Sequence, residues 1–245
     1  MSKKNHRGAA KKQPVDQSDK RISEREFVRV NKVRPRNAHQ AWYLRTIEDH
    51  TVTIGSGPAG SGKTYLAVYS ALCHHWSKQT KRIIVTRPAV EAGEKLGFLP
   101  GDLDDKLDPY MRPIYDALYD QIGLSLTKEK IERGYIEIAP LAYMRGRTFN
   151  NCFIILDEAQ NATIEQLKMC LTRLGENCKL VIAGDPSQSD LGYHKRKSGL
   201  LVLEDILRDV PDVSIVKFNK DDIVRSPVVI DIVAAFEEFE NQNED

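Results

Sequence analysis

From residue 51 onward, short apolar runs alternate with longer stretches whose apolar positions recur at helical spacing. The runs at 51–56, 82–86, 135–139, 152–156, 179–183 and 213–218 have strand length and are rich in Val, Ile and Leu. Runs with so little polar alternation fit strands buried on both faces, as in a parallel sheet. Between them, 62–76, 109–122, 163–174 and 200–207 read as helices. In the third of these, Thr163 and Gln166 stand at capping-box spacing, and Ile164, Leu167, Leu171 and Leu174 share one face. The alternation predicts an α/β fold, a mostly parallel sheet with helices on both faces. Ligands bind such sheets beyond the carboxyl ends of the strands, so the informative residues should follow strands.

Composition narrows this to one catalytic core. The chain has 245 residues, 41% hydrophobic and 29% charged, enough for one substantial core but hardly two full domains. No apolar run approaches the roughly 20 residues that span a bilayer, so no membrane contact is expected. The start, MSKKNHRGAAKKQ, lacks the apolar stretch of a secretory signal, and a cytoplasmic location is expected. Cys73, Cys152, Cys170 and Cys178 form no C-x-x-C pair and read as buried reduced thiols. Charge is unevenly spread. Residues 1–36 hold 12 Lys and Arg against 4 Asp and Glu, a net +8, leaving 24 against 31, a net −7. A basic, disordered arm over 1–36 is therefore expected ahead of a core over 37–245. The arm would attract a phosphate backbone, although a solvated tail explains it equally well.

Three strands end in polar motifs. The first is followed by Gly57-Pro58-Ala59-Gly60-Ser61-Gly62-Lys63-Thr64, a match to G-x-x-x-x-G-K-[ST] placed between a strand and a helix. Backbone N–H groups of such a loop and the positive end of the helix cradle phosphates, Lys63 would reach the β and γ phosphates, and Thr64 would hold Mg²⁺. The strand at 152–156 ends in Asp157 and Glu158, expected to bind the metal and to activate the attacking water, respectively. The strand at 179–183 leads to Gly184-Asp185-Pro186-Ser187-Gln188. There Gln188 suits a γ-phosphate sensor, since its amide both donates and accepts, while the segment also reads as a plain turn. Arg225 precedes a helix that Ser226 would cap and Pro227 would open, a position from which it could meet a phosphate, although a surface salt bridge explains it nearly as well. Ahead of the first strand, Gln40 and Tyr43 lie on a helical segment, where Gln40 could read the adenine edge and Tyr43 could stack on it, although one Gln and one Tyr at that spacing are common on any helix. Two loops rich in polar and Gly residues, 86–102 and 142–149, follow the second and third strands and are candidate binding surfaces.

In order, GPAGSGKTYLAV, TRPAVEAGEKLGFLPGDL, YMRGRTFNN, ILDEAQN, LTRLG, AGDPSQ and DIVRSP closely resemble the PhoH family over about 37–237. The resemblance implies a RecA-like P-loop ATPase core similar to that of superfamily 1 helicases, which binds and hydrolyses ATP, with RNA or single-stranded DNA as the expected modulator. Related cellular proteins are associated with RNA metabolism and sometimes carry an added RNA-binding or nuclease domain; the compact single core here is typical of phage-encoded versions. Ser226 stands where many relatives carry His. Helicases of that superfamily close two cores around one nucleotide, so a motor built from one core would have to self-associate. The expected form is a head-to-tail ring, six subunits being favoured, in which an arginine such as Arg145 or Arg147 completes a neighbour's site unless Arg225 completes its own. The alternative is an ATP-gated regulatory or assembly module without unwinding activity. A small P-loop kinase fits less well, because Asp157-Glu158-Ala159-Gln160 suits water activation.

Overall fold

The computed structural model describes residues 33–88, 103–188 and 198–226, with single positions between 228 and 236. The arm through residue 32, most of the 86–102 loop and Pro227 lie outside the described residues. The elements are α1 (Ala38–Asp49), β1 (Val52–Ser56), α2 (Lys63–Trp76), β2 (Arg82–Arg87), α3 (Leu103–Ile122), α4 (Leu124–Glu132), β3 (Ile136–Pro140), β4 (Cys152–Leu156), α5 (Ile164–Leu171), β5 (Lys179–Gly184), α6 (Gly199–Leu207) and β6 (Val213–Lys217). The strands form one sheet in the order β3-β2-β4-β5-β1-β6, and every pair is parallel. Among the described residues no helix is long and apolar enough to cross a membrane.

Each face of the sheet has its own core, as the unbroken apolar strands require. On β4, Phe153 and Ile155 join the side packed by α1, α2 and α3, whereas Ile154 and Leu156 join the side packed by α5 and α6. Burying one such side chain stabilises by about 1.5–3 kcal/mol relative to exposure. A one-residue slip would exchange the two sets, so the register is firmly held. All four cysteines are free thiols, and Cys152, Cys170 and Cys178 are buried.

Tyr43 belongs to this core. It is 0% exposed, its ring meets Phe218 edge-on at 5.3 Å, and it lies over Gly55, where a Cβ would come within 2.8 Å of the ring. Val33 packs against this core, ahead of the boundary expected at Asn37. One helix, α4, has no counterpart in the apolar pattern, because its buried positions include Thr127 and Lys130. Lys130 lies over the rings of Trp76 and Tyr135, its stem replacing an apolar side chain. The order β4-β5-β1 sets the carboxyl ends of three motif-bearing strands side by side.

Candidate functional site

Beyond those three ends lies a cleft of about 270 Å³. β1 delivers the glycine loop, and Gly62, at φ 86, hands the chain to α2 in a left-handed conformation that glycine adopts without strain. Lys63, the first residue of α2, is folded back over the loop. Its Nζ donates to Gly57 O and Pro58 O at 2.8 Å each and lies 3.1 Å from Ser61 Oγ. Burial lowers its pKa, and the charges of Asp185, Asp157 and Glu158 oppose that shift.

β4 delivers the acids. Thr64 Oγ1 donates to Asp157 Oδ1 at 2.5 Å, while Arg87, at the end of β2, donates through Nε and Nη2 to Asp157 Oδ2 at 2.8 and 2.5 Å. Arg87 Nη1 donates to Tyr110 O at 2.6 Å, and Nη2 lies 3.8 Å from Glu158. Glu158 has a left-handed backbone, φ 53 and ψ 40, which turns its half-exposed side chain away from the line of the strand. Its carboxylate accepts from Gln160 Nε2 at 2.6 Å, and Gln160 Oε1 accepts from Asp185 N at 3.0 Å. Asp185 in turn accepts from Ala59 N at 3.1 Å and from the Ser187 backbone and hydroxyl. One hydrogen-bonded chain thus joins the loop, the tip of β5 and the tip of β4.

The structure brings Lys63, Thr64, Asp157, Glu158 and Gln188 to this cleft. Arg225 reaches the loop of its own chain: Val224 N donates to Gly60 O at 2.9 Å, and a Cβ at Gly60 would lie 2.7 Å from Arg225 Nε. Two expectations need correcting. Tyr43 cannot stack on a base, because its ring is fully enclosed between α1 and β1. Gln40 is 4% exposed, and both ends of its amide are engaged, Oε1 by Arg36 N at 2.8 Å and Nε2 by Ser61 O at 3.0 Å. It braces the loop. Arg147 is also committed, to Glu137 through two hydrogen bonds at 2.5 and 2.8 Å and to the face of Phe149. That pair holds the Glu137 carboxyl below its usual range. Arg145 is exposed.

Arg87, Gln160 and Asp185 organise the site through contacts that the sequence does not announce, since it offers Gln160 and Asp185 only as members of their motifs and Arg87 only within the 86–102 loop. Arg87 follows a strand, but an arginine there matches no spacing rule. The donor set suits magnesium: a threonine hydroxyl and a carboxylate are hard oxygen ligands already in contact, and Mg²⁺ is usually held by one or two protein oxygens with substrate phosphates and water.

A parallel sheet with a phosphate loop after β1 and paired acids after β4, separated by the polar turn of β5, defines a RecA-like P-loop NTPase core. The family model described as PhoH-like protein matches residues 32–237, and the chain belongs to that family. It is 52% identical over 208 residues to the PhoH-like protein of Mycobacterium tuberculosis, covering 85% of this chain and 59% of that protein. With the PhoH-like protein of Synechocystis sp. it shares 53% over 209 residues, 85% and 63% of the two chains, and with Protein PhoH of Escherichia coli 47% over 193 residues, 78% and 54%. The chain therefore spans between 54% and 63% of the length of these relatives. Among solved structures it is similar to the Pyrococcus furiosus Hef helicase domain, with 12% identity, TM-score 0.45, and 76% and 38% of the two chains covered. It is also similar to the Sulfolobus solfataricus SWI2/SNF2 ATPase core in complex with dsDNA, with 14% identity, TM-score 0.42, and 77% and 45% covered.

Proposed function

We propose that this chain binds ATP with magnesium in the cleft and hydrolyses it, and that turnover is coupled to RNA or single-stranded DNA in a self-associated, ring-forming assembly. The observation that carries the hydrolytic reading is Glu158, turned off the end of β4 beside Asp157 and steadied by Gln160. When ATP enters, Lys63 exchanges its contacts to the loop carbonyls for β- and γ-phosphate oxygens, and the loop N–H groups hold the remainder. Thr64 and Asp157 would hold magnesium, which neutralises charge on the phosphates. Glu158 orients a water toward the γ phosphorus and accepts its proton. Gln188 contacts the γ phosphate from the neighbouring strand, and Arg225 stabilises the charge that develops on it, an effect commonly worth about 10³–10⁵ in rate.

Two substitutions separate binding from chemistry. Lys63→Ala is expected to lose nucleotide binding, whereas Glu158→Gln should bind ATP and retain it, with turnover lower by about 10²–10⁴. Wild-type turnover by Glu158→Gln would remove Glu158 from the reaction. The same assay, run with RNA, single-stranded DNA and duplex, tests the coupling. Stimulation by a single strand supports it, and indifference to all three favours an ATP-gated regulatory or assembly module.

A further inference from the structure

At their amino ends, away from the cleft, β4 and β5 bring two cysteines together. Phe153 pairs with Lys179, and outside that pair the contacts continue, with Asn151 N donating to Glu176 O at 2.9 Å and Asn177 Nδ2 donating to Asn151 Oδ1 at 3.1 Å. Cys152 and Cys178 lie between these contacts, opposite one another. Side chains alternate between the faces of a strand, and both thiols fall in the core on the α5 and α6 side. Neighbouring strands run roughly 4.7–4.9 Å apart, inside the roughly 4.4–6.8 Å between Cα atoms that a disulfide spans.

The thiols are free and in contact. Cys152 Sγ donates to Asn150 O at 3.1 Å and Cys178 Sγ to Phe149 O at 3.0 Å, and the two side chains share a hydrogen bond. Their surroundings differ. Cys152 is 0% exposed, whereas Cys178 is 7% exposed, beside the turn that leads into β5. The hydrogen bond from Cys152 pulls the Cys178 pKa down against burial, helped by backbone N–H groups of Cys152, Gly175 and Asn151. The same bond, with burial, pushes Cys152 up, and burial pushes Cys73 and Cys170 up as well. Thiolate character, access and a second thiol within reach are what make a cysteine pair readily oxidised.

We propose that Cys178 and Cys152 are a peroxide-responsive pair, in which Cys178 is oxidised first and Cys152 closes a disulfide on it. The Cys178 thiolate attacks one oxygen of a hydroperoxide, the O–O bond breaks, and the hydroxide released takes up the proton that the thiol has shed. Cys178 is then a sulfenic acid. Cys152 Sγ attacks that sulfur, the S–O bond breaks, and the hydroxyl leaves as water with the Cys152 proton. Two electrons pass from the thiols to the peroxide. The bond fastens together the amino ends of two strands whose carboxyl ends carry Asp157, Glu158 and Asp185 at the cleft. It also closes 152–178, the stretch that holds both acids and α5, into a covalent loop.

Peptide mapping of the folded full chain tests this without nucleotide. After hydrogen peroxide, remaining thiols are alkylated and the protein is digested with trypsin unreduced. Cleavage after Arg147, Lys168, Arg173 and Lys179 puts Cys152, Cys170 and Cys178 on separate peptides. The expected product is 148–168 joined to 174–179, lighter than their sum by two hydrogens and separated by dithiothreitol. Before oxidation, Cys178 should alkylate about tenfold or more faster than Cys170. Cys152→Ser should leave Cys178 as a sulfenic acid that dimedone traps, and Cys170→Ser should leave the cross-link unchanged. Recovery of 148–168 and 174–179 as separate alkylated peptides from wild type overturns the inference, and that result needs no variant to fold. Cross-links spread evenly among the four cysteines overturn it too, since they would mark oxidation of unfolded chains.

Discussion

Arg87 sits where two acids, two strands and a helix converge, with its side chain 11% exposed and that of Asp157 2% exposed. Removing one partner from a pair this buried typically costs about 3–5 kcal/mol, because the other charge is left without compensation. Arg87→Met is therefore expected to lower the melting temperature by on the order of 10 °C. Millimolar Mg²⁺ should restore part of the loss, since a cation at Asp157 replaces the missing charge. Calorimetry with and without the metal checks this, and an unchanged melting temperature would show that Asp157 does not depend on Arg87. At this scale placement was legible where a short motif follows a strand: Lys63, Thr64, Asp157, Glu158 and Gln188 all line the cleft. Arg87 was not legible, because its partner is 70 positions away and nothing local announces the pair. Tyr43 misled for a related reason. An aromatic on a helix has an inward and an outward option, and Gly55 on the next strand decides between them.

The helix α5 shows how fully a local rule can determine an element. Thr163 accepts from Gln166 N, and Gln166 Oε1 accepts from Thr163 N, so both halves of the capping box form. Thr163→Ala should cost about 1 kcal/mol, seen as a melting temperature lower by about 2–4 °C, with nucleotide binding unaffected. A loss several times larger would mean that Thr163 serves more than the cap. Strand positions were legible almost to the residue, because strands buried on both faces leave an unbroken apolar signature. The end of α5 was less so. The apolar face continues to Leu174, but the helix stops at Leu171, and Leu174 instead pairs with Phe149 as an isolated parallel bridge. That competing contact, like the Lys130 stem in α4, comes from tertiary packing, which periodicity does not contain.

For the molecule as a whole, the sheet order bears on how a site would be completed. Arg145 follows β3 at the edge of the sheet, four strand positions from β1, roughly 19 Å at ordinary spacing. It is thus remote from its own phosphate loop and exposed, whereas Arg225 lies against its own loop and Arg147 is held by Glu137. In the ring we propose, Arg145 is the arginine offered in trans. Lys63→Ala subunits keep this donor, and Arg145→Ala subunits keep the nucleotide. Mixing the two should recover part of the ATPase activity, while Arg147→Ala should not substitute for Arg145→Ala in the experiment. No recovery, with a monomeric mass in ATP and magnesium, would rule out the shared site.

Gln160 joins the tips of two strands with one amide, its nitrogen toward Glu158 and its oxygen toward the backbone of Asp185. At this position the set of tolerable side chains shrinks almost to one. Glutamate would face Glu158 with a second negative charge, methionine would serve neither partner, and asparagine would fall a methylene short. The polarity of a single amide thus fixes the letter that the protein's alphabet must supply at position 160.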